Sequence, residues 1–111
     1  MSTTITWIGH STFTLDVAGH TVLIDPFITN NPLTEKTSDE FSPEVILLSH
    51  AHGDHVGFTD DGPATDTMSI AQRTGATVVC NFEMGNWFMG KGLQNVSQVN
   101  PGGTLDRKSV V

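Results

Sequence analysis

Residues 50–55 read His-Ala-His-Gly-Asp-His and place three of the chain's five histidines beside an aspartate. Neutral imidazole and ionised carboxylate are ligands that suit Zn²⁺, Mn²⁺ and iron. His50 and His52 are two residues apart, so their side chains project to the same side while the chain stays extended. Asp54 and His55 follow a glycine, which lets the backbone turn and direct them elsewhere. The spacing predicts two neighbouring metal positions supplied by one short loop.

Other interpretations of this loop fit its pattern less well. An expression tag would be an uninterrupted histidine run at a terminus. A helical zinc motif needs histidines at i and i+4 with a glutamate beside the first, and Ala51 and Gly53 do not match it. The remaining alternative is a solvated polar loop that is rich in histidine and binds no metal.

The motif His-x-His-x-Asp-His, set after the apolar run Val45–Leu48, resembles the metallo-β-lactamase superfamily of hydrolases. Further segments resemble one branch of it, the small bacterial and archaeal metal-dependent hydrolases related to ascorbate-6-phosphate lactonase. These segments are Trp7–Ser11, Leu23–Phe27 and Arg73–Val79. The resemblance runs from about Ile5 to about Thr104, nearly the whole chain.

The resemblance implies a site with up to two divalent metal ions. His50 and His52 are expected to hold the first ion, and Asp54 and His55 the second. Asp54 is also the expected catalytic residue, because it could orient a water molecule and take its proton. Metal coordination lowers the pKa of water from 15.7 to about 7, which suits attack on an ester, a lactone or a phosphodiester. Zn²⁺ is the favoured ion, with Mn²⁺ and iron as alternatives.

The family's remaining ligands lie downstream of the matched region: a third histidine, a bridging aspartate and a last histidine. After residue 55 this sequence has no histidine, and Asp106 is its only acidic residue after Glu83. We therefore expect residues 1–111 to form one partial domain, the N-terminal half of a hydrolase. One alternative is a non-catalytic remnant that binds metal weakly or needs a partner chain. The other is a redox or binding module of the same superfamily, which normally needs a flavin partner, and no such signature appears in the sequence.

Two residues outside the loop are candidates for supporting roles. Asp25 precedes Pro26 at a strand end and resembles the family's acid that orients a ligand histidine through its free N–H. The alternative is that an aspartate before proline only starts a turn. His10 follows the first strand and could contact substrate, although a lone histidine is more often packed or solvated. Ser11 lacks the elbow and the partners of a hydrolase nucleophile.

Composition narrows the classes of partner. Twelve acidic against five basic residues give a net charge of −7, which argues against nucleic-acid binding. The longest aliphatic run has four residues, far below the ~20 that span a bilayer. The first four residues show no secretory signal, and the single cysteine, Cys80, is expected in the core. We therefore expect a cytoplasmic protein that acts on a small molecule.

The hydrophobic pattern predicts an α/β (α+β) fold, and the resemblance implies half of a four-layer αββα sandwich: a mixed sheet with helices on one face. Strands are predicted at 5–8, 11–17, 21–25, 44–49, 76–81 and 96–99, and helices at 67–74, capped by Asp66, and 83–91. Segments 26–43 and 57–63 are predicted as loops. The sheet face without helices would be left uncovered, so we expect self-association into a homo-oligomer or marginal stability.

Overall fold

A six-stranded sheet forms the frame of the molecule in the computed structural model, which describes residues 2–99. The strands follow one another across the sheet in chain order. They are β1 (Thr3–Gly9), β2 (Thr12–Val17), β3 (His20–Ile24), β4 (Val45–Leu47), β5 (Thr77–Cys80) and β6 (Val96–Gln98). The α-helices are α1 (Gly53–Val56), α2 (Thr65–Thr74) and α3 (Phe82–Gly90), and a 3₁₀ turn covers Ser38–Glu40.

The two halves of the sheet are connected in different ways. β1, β2 and β3 are antiparallel, and the two-residue turn Ala18-Gly19 joins β2 to β3. Both turn residues have positive φ, 51° and 86°, as the preferred hairpin turns of a twisted sheet require. From β3 to β6 the strands are parallel, so each connection must cross over. Because crossovers are almost always right-handed and the strand order never reverses, the connecting helices share one face.

The core lies between that face and the helices. Leu23, Ile46 and Val78 are paired across three neighbouring strands and are fully buried. Ile70 of α2 and Phe88 of α3 belong to the same cluster and are equally inaccessible. Burying side chains of this size contributes roughly 1.5–3 kcal/mol each, so the helix-covered face is the main source of stability.

The opposite face of the sheet, which we call the open face, carries two long rows of laterally paired side chains beside a short row formed by Thr3, Val17 and His20. One row is Ile5, Leu15, Val22, Val45 and Thr77, and the other is Trp7, Phe13, Ile24, Leu47, Val79 and Ser97. Ile5 is 65% exposed and Trp7 is 59% exposed. Val45 is buried but lies outside the core cluster. The helices of residues 2–99 thus cover one side of the sheet only.

The predicted mixed sheet with helices on one face is confirmed, with two local corrections. Asp66 does not cap a helix, because α2 begins at Thr65, two residues before the predicted start, and Ala64 occupies the N-cap. Its carboxylate is buried and accepts hydrogen bonds from another loop instead. The short helix α1 was not predicted, since Gly53 at its start indicated only a turn.

Two further predictions concern exposure and membranes. Cys80 is buried, as expected. Within residues 2–99, every helix falls short of the length and apolarity that crossing a bilayer requires. Asp106 and the end of the family resemblance near Thr104 lie outside the described residues.

Candidate metal centre

The histidine loop lies where two parallel strands end side by side. Ser49 and His50 follow β4, and Asp25 follows the adjacent β3. Carboxyl ends of parallel neighbours meet at one edge of a sheet, where α/β folds place their ligands. The fold therefore brings Asp25 beside the histidine loop, although at least 24 residues separate them along the chain.

Three imidazole rings are gathered within this loop. The ring centroid of His50 is 3.9 Å from that of His55 and 4.6 Å from that of His52. His52 is the N-cap of α1, and its extended backbone is followed at once by the helical turn that carries Asp54 and His55. The turn folds His55 back toward His50, so the structure brings together all three histidines predicted as ligands.

Asp25 is the hydrogen-bond centre of the site. Its side chain is only 4% exposed. Its Oδ1 accepts from the backbone N–H of Ser49 at 2.7 Å, and its Oδ2 accepts from the Ser49 hydroxyl at 2.6 Å. Oδ2 also lies 2.8 Å from Nδ1 of His55. A buried carboxylate needs such donors to offset the water it loses.

The backbone of Asp25 is fixed as firmly as its side chain. Its φ is +47°, in the left-handed region that aspartate tolerates better than most residues. Its N–H donates to the carbonyl of Leu47, and its own carbonyl accepts from the buried hydroxyl of Thr12 at 2.7 Å. A constrained residue of this kind holds its carboxylate in one place.

The contact between Asp25 and Nδ1 of His55 determines which ring nitrogen of His55 carries a proton. An ionised carboxylate only accepts hydrogen bonds, so Nδ1 of His55 carries the proton and donates a hydrogen bond to Asp25. In the neutral ring, Nε2 then presents a free lone pair. The carboxylate of Asp54, whose side chain is 51% exposed, lies with Oδ1 3.8 Å from that Nε2. Asp54 and the available nitrogen of His55 thus face the same small region.

The donors fit a divalent cation by chemical type more fully than by geometry. Imidazole nitrogens and a carboxylate are suitable ligands, and Asp25 orients one imidazole in the way that metal-binding histidines commonly require. Yet among residues 2–99 no group of three or more histidine, cysteine, aspartate or glutamate side chains converges as a ligand set. The loop as it stands supplies part of a coordination shell.

His10 lies apart from the gathered histidines. It is exposed in the turn between β1 and β2, with φ of 55°. Its ring packs edge-on against Phe27 at 5.2 Å, and Phe27 in turn stacks on Phe58, two residues after α1 ends. The connection of His10 with the loop is therefore indirect, through two aromatic rings.

Two residues that support the site were not predicted from the sequence to do so. Ser49 bonds to Asp25 and lies 2.9 Å from Nδ1 of His50; its position directly before the motif was the available signal. Asp66 is 1% exposed, and its Oδ2 accepts from the backbone N–H groups of Ile28 and Thr29, both at 2.8 Å. Because no local pattern distinguishes this contact from a helix cap, the sequence carried no signal for it.

Asp66 also connects the two segments that carry Asp25 and His55. Its carboxylate holds the segment after Asp25, while its own N–H donates to the carbonyl of Gly57, directly after α1. A Cβ on Gly57 would lie 2.3 Å from Asp66 Cβ and 2.4 Å from the Pro26 carbonyl oxygen. This close-packed junction fixes the position of the segment after Asp25 relative to α1.

Comparison with known proteins agrees with this architecture. The chain is 42% identical over 102 residues to the UPF0173 metal-dependent hydrolase of Methanopyrus kandleri. It is 44% identical over 108 residues to that of Methylobacterium nodulans. The matches cover 92% and 93% of this chain but only 41% and 42% of those proteins.

A solved structure matches as well, that of Igni18, described as a novel metallo hydrolase from the hyperthermophilic archaeon Ignicoccus hospitalis. It superposes with a TM-score of 0.74 at 33% identity, covering 88% of this chain and 40% of that one. The chain thus spans about two fifths of the length of these relatives. Residues 4–107 match the family described as the Beta-lactamase superfamily domain. On this evidence the chain belongs to the metallo-β-lactamase superfamily.

Proposed function

We propose that this chain provides the metal-binding loop of a metal-dependent hydrolase. The observation that carries the proposal is the hydrogen bond from Nδ1 of His55 to Asp25, which leaves Nε2 free for a ligand. Relatives named as metal-dependent hydrolases support it, since they match nearly all of this chain. Their activity belongs to proteins more than twice as long, so for this chain it is part of the proposal.

Each loop residue has a proposed role. His50 and His52 would hold one divalent cation, and Asp54 and His55 would hold a second. A bound cation supplies Lewis acidity and lowers the pKa of water to about 7. Asp54 is half exposed and adjacent to His55 Nε2, so it would orient the attacking water and accept its proton. Asp25 stays out of reach of substrate and keeps His55 in the required tautomer.

The proposed substrate is a small molecule with an ester, lactone or phosphodiester bond, which all suit water attack beside a cation. Zn²⁺ is the proposed ion because imidazoles dominate the donor set, and Mn²⁺ and iron are the alternatives where carboxylate and water contribute more. The cytoplasmic location expected from the sequence stays a prediction.

A non-catalytic metal-binding remnant is the second candidate. It is favoured by one observation, the lack of three converging ligands within residues 2–99. Such a loop would bind a cation weakly and turn nothing over, unless another chain completed the coordination shell.

Metal content and turnover measured together separate the two candidates. The purified chain is stripped with a chelator, reloaded with Zn²⁺ or Mn²⁺, and assayed for bound metal and for hydrolysis of bis(p-nitrophenyl) phosphate and a simple lactone. The hydrolase predicts metal uptake with turnover, and a His50→Ala/His52→Ala variant should lose both. His20→Ala removes a histidine paired with Glu44 outside the loop and should lose neither.

Each outcome of this experiment has a definite meaning. Metal uptake without turnover identifies the remnant and rejects the hydrolase for this chain. Absence of uptake, or uptake unchanged in the double variant, rejects both candidates. Turnover that survives chelation would also contradict the proposal, because it would not depend on the metal.

A further inference from the structure

The Ser49 hydroxyl lies between the buried carboxylate of Asp25 and two of the loop histidines. Its Oγ is 2.6 Å from Oδ2 of Asp25, 2.9 Å from Nδ1 of His50 and 3.4 Å from Nδ1 of His55. The backbone N–H of Ser49 donates to the other carboxylate oxygen, Oδ1, at 2.7 Å. Backbone and side chain of the serine are therefore both tied to Asp25, and its Oγ is held beside the His50 ring.

The single proton of the Ser49 hydroxyl has one favourable direction. The Asp25 side chain is only 4% exposed, so hardly any water reaches its carboxylate. If the hydroxyl proton pointed at His50, two oxygens with only lone pairs between them would face each other at 2.6 Å. A distance of this size is instead typical of a hydroxyl that donates to an ionised carboxylate. Ser49 therefore donates to Asp25.

The direction of this hydrogen bond determines which ring nitrogen of His50 carries a proton. Because the proton of Ser49 Oγ is directed at Asp25, that oxygen can only accept a further hydrogen bond. Nδ1 of His50, 2.9 Å away, therefore carries a proton and donates to it. In the neutral ring, Nε2 of His50 is left with a lone pair. His55 reaches the same state by donating directly to Asp25.

We propose that Ser49 is a positioning residue that transmits the orienting effect of Asp25 to His50. One buried carboxylate then selects the ligand nitrogen of both proposed metal positions, since it acts on His55 directly and on His50 through the serine hydroxyl. A cation binds the ring nitrogen that carries no proton, so a ring already in this tautomer binds without rearrangement. The tautomers follow from hydrogen bonding alone, whereas their consequence for metal binding rests on the proposed function.

The tautomers can be measured in the metal-free chain from the ¹⁵N chemical shifts of the histidine rings. At about pH 8.5 imidazole is neutral, and a nitrogen with a proton resonates far from one with a lone pair. In the wild type, His50 and His55 should both be protonated at Nδ1. Ser49→Ala should allow His50 to populate both tautomers, while His55 keeps its proton on Nδ1 through Asp25. Ser49→Thr retains a hydroxyl and should restore the wild-type shifts of His50.

Asp25→Asn should reverse the direction of these hydrogen bonds. The backbone N–H of Ser49 needs an acceptor, so the amide oxygen should take the place of Oδ1 and the NH₂ group that of Oδ2. The NH₂ group only donates, so it requires lone pairs on Ser49 Oγ and on Nδ1 of His55. The serine proton is then free to point at Nδ1 of His50. Both rings should therefore carry their proton on Nε2.

Zn²⁺ titration of the same variants tests the consequence for metal binding. Ser49→Ala should weaken binding about 10–100-fold, as is typical when the partner of a ligand histidine is removed, and Ser49→Thr should bind like the wild type. Unchanged affinity in Ser49→Ala would overturn the positioning role.

The wild-type spectrum alone can overturn the proposal, so the test does not depend on the folding of a variant. A proton on Nε2 of His50 in the wild type contradicts it. The same holds if Ser49→Ala leaves the His50 tautomer unchanged, or if it alters His50 and His55 alike. If the wild-type tautomers are as proposed in a chain that takes up no metal, the hydrogen-bond arrangement is supported and the proposed function is rejected.

Discussion

The Asp25 carboxylate lies 2.8 Å from Nδ1 of His55, although thirty residues separate them in the chain. The contact exists because β3 and β4 are parallel neighbours, so the residues that follow them meet at one edge of the sheet. It fixes the imidazole in the tautomer whose Nε2 is free. A buried acid thereby determines which atom of a partly buried histidine is available for chemistry.

Replacing Asp25 by asparagine should weaken metal binding about 10–100-fold, as is typical when the partner of a ligand histidine is removed. Asparagine tolerates the φ of +47° that Asp25 adopts, so the backbone is preserved and the charge is lost. Calorimetric titration with Zn²⁺ measures the change. His20→Asn, at an exposed histidine outside the loop, is the control. Equal affinity of Asp25→Asn and the wild type would show that Asp25 does not act through His55.

The parts of this structure that the sequence predicted are those with a local signal. The unbroken aliphatic run of β4 predicts a buried central strand, and the motif that follows it contains the three histidines whose rings the fold gathers. The alternation of apolar and polar residues and the Ala18-Gly19 turn encode the β-hairpin. In each case the pattern extends over neighbouring residues and needs no knowledge of distant parts of the chain.

The parts that were missed depend on contacts across long chain separations. Asp66 has the residue type of a helix cap, and only its contact with Thr29, 37 residues away, shows another role. Gly53 indicates a turn, yet Gly53–Val56 form one helical turn that contains the second half of the loop. The bond between Ser49 and Asp25 likewise spans 24 residues. Tertiary packing decides among local options that the sequence leaves open.

The buried thiol of Cys80 should make stability fall at high pH. Burial raises its pKa from 9.0 to about 11. Between these values the unfolded thiol is ionised and the native one is not, so the native state binds more protons. The free energy of unfolding should therefore decrease as pH rises from 9 toward 11. Urea unfolding should show a steeper decrease for the wild type than for Cys80→Ala, and parallel curves would contradict the prediction.

Removal of the Asp66 carboxylate should destabilise the fold by about 1–3 kcal/mol, because Asp66→Ala leaves the buried N–H of Ile28 without its acceptor. Asp66→Asn should recover most of the loss. The amide oxygen of the asparagine can accept from the backbone N–H groups of Ile28 and Thr29. Its NH₂ group can donate to the Thr29 hydroxyl, which in the wild type donates to Asp66 Oδ1 at 2.7 Å.

Urea unfolding distinguishes this role from a general effect of charge. Asp61→Ala, at an exposed aspartate, should change stability by less than about 0.5 kcal/mol, as surface substitutions usually do. If Asp66→Asn proved as damaging as Asp66→Ala, the negative charge rather than the hydrogen bonds would be what the loop requires.

Gly57→Ala should be far more destabilising than Gly75→Ala, although both glycines have left-handed backbones with φ of 84° and 74°. A left-handed conformation alone costs an L-residue roughly 1–2 kcal/mol, and Gly75 has open space where a Cβ would lie. At Gly57 the added methyl group would meet Asp66 Cβ at 2.3 Å. The difference in the free energy of unfolding between the two variants, measured in urea, therefore reports how much the close packing around Gly57 contributes to stability. If both variants lost the same free energy of unfolding, the contacts of Gly57 with Asp66 and Pro26 would adjust without an energetic penalty. These contacts would then not be what positions Asp25 next to His55.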